Sequence, residues 1–134
     1  FIDEYGARNT LLFVKLSENQ TVLSENFSSF VKPKHLELCR PELDVALGMI
    51  GETTAELTVS AQRPALWCWI ECLDEELEIR FPDNFFHVVP GEARSLTLEL
   101  SEPKSADELS AALRVQTLYN TTNPGETGTV PAAV

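Results

Sequence analysis

Two tryptophans separated by a single residue, Trp67 and Trp69, are the side chains best placed by type and spacing to hold a ligand. On an extended strand, positions i and i+2 share a face, and two indoles side by side make a flat apolar platform of the kind that stacks on sugar rings. The same spacing also describes core or interdomain packing, because large aromatics on a strand mark a covered surface. Catalytic chemistry is harder to place. Glycosidic hydrolysis needs two opposed carboxylates about 5 Å apart for retention and further for inversion. Here Asp74, Glu75 and Glu76 form an acidic turn, and the remaining acids alternate outward on strands as a solvated face. His35 and His87 are the only imidazoles, and neither stands at the spacing of a zinc ligand. No Gly-x-Ser-x-Gly elbow or phosphate-binding loop occurs. The expectation is therefore no catalytic residue, no metal ligand and no cofactor.

Cys39, Cys68 and Cys72 lack a flanking Lys or His to stabilise a thiolate, so they read as small buried hydrophobes. On one strand Cys68 and Cys72 lie about 13 Å apart at roughly 3.3 Å per residue, beyond the roughly 7 Å that a bridge spans. Free thiols are expected. Three glycosylation sequons, beginning at Asn19, Asn26 and Asn120, carry meaning only in a secretory pathway.

The elements that must position these residues are short strands. Thr10 to Leu16 places Leu12, Val14 and Leu16 on one side. Thr21 to Val31 reads as a bulged extended path, and Pro33 makes Lys32 to His35 an edge or crossover. Leu43 to Ile50 and Thr53 to Ala61 alternate apolar and polar residues around Gly51-Glu52, the pattern of a hairpin. Ala65 to Cys72 is the most apolar strand, with Leu66, Cys68, Ile70 and Cys72 on one face and Trp67, Trp69 and Glu71 on the other. Arg80 to Leu100 is two strands around a corner. Pro90-Gly91 fits the centre of a type II turn, and Leu96, Leu98 and Leu100 share one face. Ser105 followed by Glu108 has capping-box spacing for one short helix. A last strand, Ala112 to Tyr119, places Leu113, Val115, Thr117 and Tyr119 together.

About eight strands with turns between them predict an all-β, immunoglobulin-like antiparallel β-sandwich over residues 1–119, with 120–134 a disordered tail. The 134 residues suffice for one core. A net charge of −11 without a basic run excludes nucleic acid and an anionic membrane surface as partners. No apolar run reaches the roughly 20 residues of a membrane span, and Phe1 is not followed by a signal-peptide pattern. The opening reads as the middle of a folded unit, so an excised piece of a longer protein is expected; its compartment is not encoded.

Arg63-Pro64-Ala65-Leu66-Trp67-Cys68-Trp69-Ile70, then Arg80-Phe81-Pro82-Asp83-Asn84-Phe85-Phe86, then Pro90-Gly91-Glu92, resembles the C-terminal Ig-like domain of β-mannosidases of glycoside hydrolase family 2. Pro82 stands where serine is usual in that family. The resemblance also takes in Leu23 to Phe27, Lys34-His35-Leu36, and the ending Lys104 to Leu109 before Val115 to Tyr119, and spans about residues 10–120. It implies a parent that removes terminal β-linked mannose with retention, using two glutamates of a separate (β/α)8 barrel. No residue here matches those glutamates. The chain would be a non-catalytic accessory domain whose partners are the other domains of the parent glycosidase. Alternatively it is a carbohydrate-binding module that stacks β-mannoside oligosaccharide on Trp67 and Trp69.

Overall fold

The computed structural model describes residues 2–123 and 128–129 and forms two compact units, Phe1–Cys39 and Arg40–Val134. The first unit begins with α1 (Ile2–Tyr5) and a 3-10 turn (Ala7–Asn9), followed by the strands β1 (Leu11–Glu18) and β2 (Thr21–Ser29) and a second 3-10 turn (Pro33–His35). β1 and β2 form an antiparallel ribbon from Leu11↔Ser29 to Glu18↔Thr21. Asn19 and Gln20 close it, both at positive φ (50° and 68°), the backbone of a two-residue type I′ turn whose twist matches the strands. The expected bulge is present: the register shifts after Leu16, leaving Leu23 as the extra residue. Main-chain and side-chain bonds hold the unit's ends together, Arg8 donating from Nε to the His35 carbonyl at 2.8 Å and the Glu37 N–H to the Arg8 carbonyl at 2.9 Å.

The second unit is an antiparallel sandwich. Its strands are β3 (Leu43–Met49), β4 (Thr54–Ala61), β5 (Ala65–Cys72), β6 (Ile79–Arg80), β7 (Phe86–Val88), β8 (Ala93–Leu100), β9 (Leu113–Gln116) and β10 (Gly128–Thr129). They make two four-stranded sheets, ordered β3-β4-β8-β6 and β10-β9-β5-β7. β4 shows why the sequence period was readable: Ala55, Leu57, Val59 and Ala61 are buried while the residues between them are not. They meet Leu96, Leu98 and Leu100 of β8 and Val45 and Leu47 of β3 in the same sheet. The opposing sheet contributes Ala65, Cys68, Ile70, Phe86, Val88, Leu113 and Val115. Burying each such side chain stabilises by about 1.5–3 kcal/mol relative to exposure.

The corner between β7 and β8 is the expected type II turn. The Glu92 N–H donates to the Val89 carbonyl at 3.0 Å, with Gly91 at φ +81°. Ser105 caps α2 (Ala106–Ala112), its Oγ accepting from the Glu108 N–H at 3.2 Å.

Four local expectations are corrected. The sequence after the acidic turn predicts a short strand over Leu77 to Phe81; it shrinks to Ile79–Arg80, because Leu77 is instead buried in the core at the end of that turn. The last strand stops at Gln116 rather than Tyr119. The Asn120 side chain accepts from the Thr117 N–H at 2.8 Å, and this capping box turns Leu118–Thr121 into a 3-10 helix. Of the stretch expected as a tail, Asn120 is buried and Gly128–Thr129 pairs with β9, whereas 124–127 and 130–134 lie outside the described residues. Finally, the simple alternation expected along β5 is broken by an extra residue, with consequences described next.

Candidate aromatic face

β5 runs between β7 and β9, pairing Ala65 with Val88 and Cys68 with Phe86 on one side and Trp69 to Cys72 with Gln116 to Leu113 on the other. Between these pairs two residues of β5, Leu66 and Trp67, oppose the single residue His87 of β7. This bulge places Ala65 and Cys68, not Leu66 and Cys68, in the core. Leu66 is buried outside the core cluster, and Trp67 takes φ +46°. A positive φ is unusual for a bulky residue and leaves its N–H off the ladder. His87 takes up that donor: its Nδ1 accepts from the Trp67 N–H at 3.1 Å, and its ring lies edge-on to the indole at 5.3 Å. His87 therefore serves a structural role that no sequence spacing announces.

Beyond the bulge the strand alternates again. Ile70 points to the core, and Trp69 and Glu71 lie on the outer face with their cross-strand partners Gln116 and Arg114. Glu71 is the hub of this face. Its carboxylate accepts from Trp69 Nε1 at 3.1 Å, Arg114 Nε at 2.9 Å and Gln116 Nε2 at 2.8 Å. The hydrogen bond from Arg114, then that from Trp69, hold the Glu71 carboxyl below the usual carboxylate range.

Trp69 also stacks on Phe85, with centroids 6.1 Å apart and planes at 27°. Phe85 is 61 % exposed and sits at φ +58°. Its position is set by Asn84, whose Oδ1 accepts from the Ile70 N–H at 2.9 Å while its Nδ2 donates to the Ile70 carbonyl at 3.3 Å. The Asn84 amide thus takes the place of one more ladder step, where the chain itself turns away. Asp83 is tied to β8 through Arg94 Nη2 at 2.7 Å, and the Arg94 guanidinium lies 5.5 Å above the Phe86 ring. The Asp83-Asn84-Phe85-Phe86 run fastens this corner to both sheets.

Both tryptophans named from the sequence therefore lie on the outer face of the β10-β9-β5-β7 sheet, each half-buried against a second ring. The sequence reading missed Phe85, Asn84, His87, Arg114 and Gln116 as parts of this face. An Asp-Asn dipeptide is by type a turn former, and nothing in it announces the bonds Asn84 makes to Ile70.

Of the three cysteines expected to be buried, Cys39 is exposed and Cys72 only half-buried. Cys68 is buried, and burial pushes its thiol up to about 12; all three cysteines are free. Among the described residues no group of three or more His, Cys, Asp or Glu side chains is placed to hold a metal ion, and no helix is long and apolar enough to cross a membrane. His35 lies in the first unit, in an exposed 3-10 turn. The acidic turn is partly neutralised by Lys104, whose Nζ lies 2.9 Å from Glu102 and 3.9 Å from both Asp74 and Glu108. Of the sequons, Asn19 is exposed at the ribbon tip and Asn26 on β2, whereas Asn120 is occupied by its cap.

The Ig_mannosidase family, described as an Ig-fold domain, matches residues 38–121. No curated protein matches significantly. Among solved structures, a β-D-mannosidase from Dictyoglomus thermophilum matches with a TM-score of 0.61 at 23 % identity, over 80 % of this chain and 13 % of that chain. This chain therefore spans a small fraction of the length of the enzyme it resembles.

Proposed function

From the premise that this chain belongs to the Ig_mannosidase Ig-fold family, we propose that it is a non-catalytic C-terminal β-sandwich domain of a β-mannosidase-like glycoside hydrolase. Its outer face packs against the catalytic barrel of that enzyme. Hydrolysis of terminal β-D-mannose is the work of residues elsewhere in the parent. The likeness to a β-D-mannosidase supports this reading.

The observation that carries the packing role is an exposed aromatic ledge above a carboxylate that is already bonded within the face. Phe85 stands outward on Trp69, while the Glu71 oxygens are already taken by Trp69, Arg114 and Gln116. A carboxylate already bonded to its neighbours costs less to cover than one that must give up water unpaired. A Phe85→Asp substitution tests the idea. In the isolated chain it costs at most the stacking on Trp69, about 0.5–1.5 kcal/mol, partly offset because Asp tolerates φ +58° better than Phe. In the intact polypeptide it lowers the temperature at which β-mannosidase activity is lost. Unchanged thermal inactivation of the intact variant would refute the packing role.

Trp69 and Phe85 flanked by Glu71, Arg114 and Gln116 also have the composition of a sugar site, which keeps the carbohydrate-binding reading of Trp67 and Trp69 in play. The bonds Glu71 already makes to Trp69, Arg114 and Gln116 argue against it, since a sugar hydroxyl would have to compete with them for the carboxylate. An amide NMR titration with manno-oligosaccharides to about 10 mM, a range that catches weak binding, decides: localised shifts around Trp67 and Trp69 establish the sugar site, and their absence leaves the packing face.

A further inference from the structure

Three of the six asparagines, Asn19, Asn26 and Asn120, stand two positions before a Ser or Thr, whereas 20 such hydroxyl residues in 134 give about one by chance. The fold treats the three differently. Asn120 is 5 % exposed, and its Oδ1 accepts from the Thr117 N–H at 2.8 Å and from Thr117 Oγ1 at 3.2 Å. Its amide is spent on a cap inside the protein. Asn26 sits within β2, paired opposite Val14, and its Oδ1 accepts from the Phe27 N–H at 2.8 Å.

Asn19 differs from both. It stands at the tip of the β1–β2 ribbon, in the two-residue turn between Glu18 and Thr21. Asn19, Gln20 and Thr21 are all exposed, and among the described residues neither the Asn19 amide nor the Thr21 hydroxyl bonds to another group. The turn accounts for an asparagine at φ 50°, since Asn visits the left-handed region at little cost. It makes no demand for a hydroxyl at position 21. A loop tip is also where an added bulky group is best tolerated.

We propose that Asn19 is an acceptor for N-linked glycosylation, with a lipid-pyrophosphate-linked oligosaccharide as the donor. Asn19 Nδ2 attacks the anomeric carbon of the donor's first sugar. The bond from that carbon to the pyrophosphate oxygen breaks, the lipid pyrophosphate leaves with the electron pair, and the amide proton passes to a base of the transferase. The new sugar points away from the ribbon, so the turn and its pairing stay as they are. Asn120 is refused, because a sugar on its amide would displace the cap from its buried place. The inference goes beyond the accessory-domain reading and does not rest on it; it places the chain on a secretory route, where such a donor is found.

Peptide mapping by mass spectrometry tests this on the intact polypeptide purified from its native cells and, in parallel, secreted from a eukaryotic host. Enzymatic release of the glycan in heavy-oxygen water marks each occupied asparagine as a labelled aspartate. The expected result is a label at Asn19 and none at Asn120 in both samples. Thr21→Ala removes the Asn19 label and Thr21→Ser retains it, a pattern that spontaneous deamidation would not follow. An unmodified Asn19 in the native sample overturns the proposal, whatever the host does, and so does a glycan on Asn120 of the folded protein.

Discussion

Replacing Asn84 by Ala isolates the feature that joins the corner before β7 to the centre of the sandwich. Asn84 makes three side-chain bonds: it accepts from the Ile70 N–H at 2.9 Å and the Phe85 N–H at 3.1 Å and donates to the Ile70 carbonyl at 3.3 Å. Ile70 is only 3 % exposed. Each bond contributes a net of about 1 kcal/mol, and a donor left buried and unpaired costs about 1–3 kcal/mol. Water can reach the Phe85 N–H, so the loss expected for Asn84→Ala is about 2–4 kcal/mol, a large fraction of the roughly 5–15 kcal/mol that holds a domain folded. Asn84→Asp keeps the acceptor, loses the Nδ2 donor and sets a carboxylate against the Ile70 carbonyl, so about 1–2 kcal/mol is expected. The assay is urea denaturation at constant slope, with the midpoints ordered wild type, then Asp, then Ala. Amide exchange at Ile70 should quicken in the Ala variant. A midpoint for Asn84→Ala within about 0.5 kcal/mol of wild type would refute the claim that this amide substitutes for a ladder step.

Glu71 gives a pH signature. Its carboxyl is held low by Arg114 and Trp69, so the folded state binds its proton less readily than the unfolded chain. Its stabilising contribution is therefore complete above the unfolded value of about 4.3 and is lost as pH falls through the lower folded value. The stability difference between wild type and Glu71→Gln should narrow below about pH 4 in denaturation curves taken from neutral to acid; a gap constant with pH would contradict the network. With a thiol-specific chromogen at neutral pH, exposed Cys39 should react readily. Buried Cys68, its thiol at about 12, should react at least about 1,000-fold more slowly until the protein unfolds. Gly91→Ala meets no atom within 4 Å but forces a side chain into φ +81°, so a loss of about 1 kcal/mol is expected, again read from the urea midpoint.

How much the sequence revealed differs from strand to strand for physical reasons. β3, β4 and β8 were legible because each has one face in the core and one toward solvent, and the period of two survives intact. The Pro90-Gly91 turn and the Ser105 cap were legible because their chemistry is local. β5 was not. Its apolar residues occupy both faces, so nothing in the alternation marks the extra residue at Leu66 and Trp67, and a tryptophan at positive φ contradicts its own propensity. The Glu71 network was hidden because Arg114 lies 43 residues away, and its pairing depends on the register of β5 with β9. Asn84 is hidden for a related reason. An Asn side chain that bonds backbone groups is by type a competitor of strand pairing, whereas here it extends the pairing by one residue. Thr117 was rightly grouped with Leu113 and Val115, with which it is buried, but the cap it shares with Asn120 ended the strand before Tyr119.

The central claim is that this chain supports a catalytic unit without catalysing. The most direct measurement is turnover of a chromogenic β-D-mannoside by the 1–134 chain and by the intact polypeptide at equal molar concentration. The account predicts turnover by the intact polypeptide and none above buffer by the 1–134 chain. Hydrolysis by the 1–134 chain alone would contradict it.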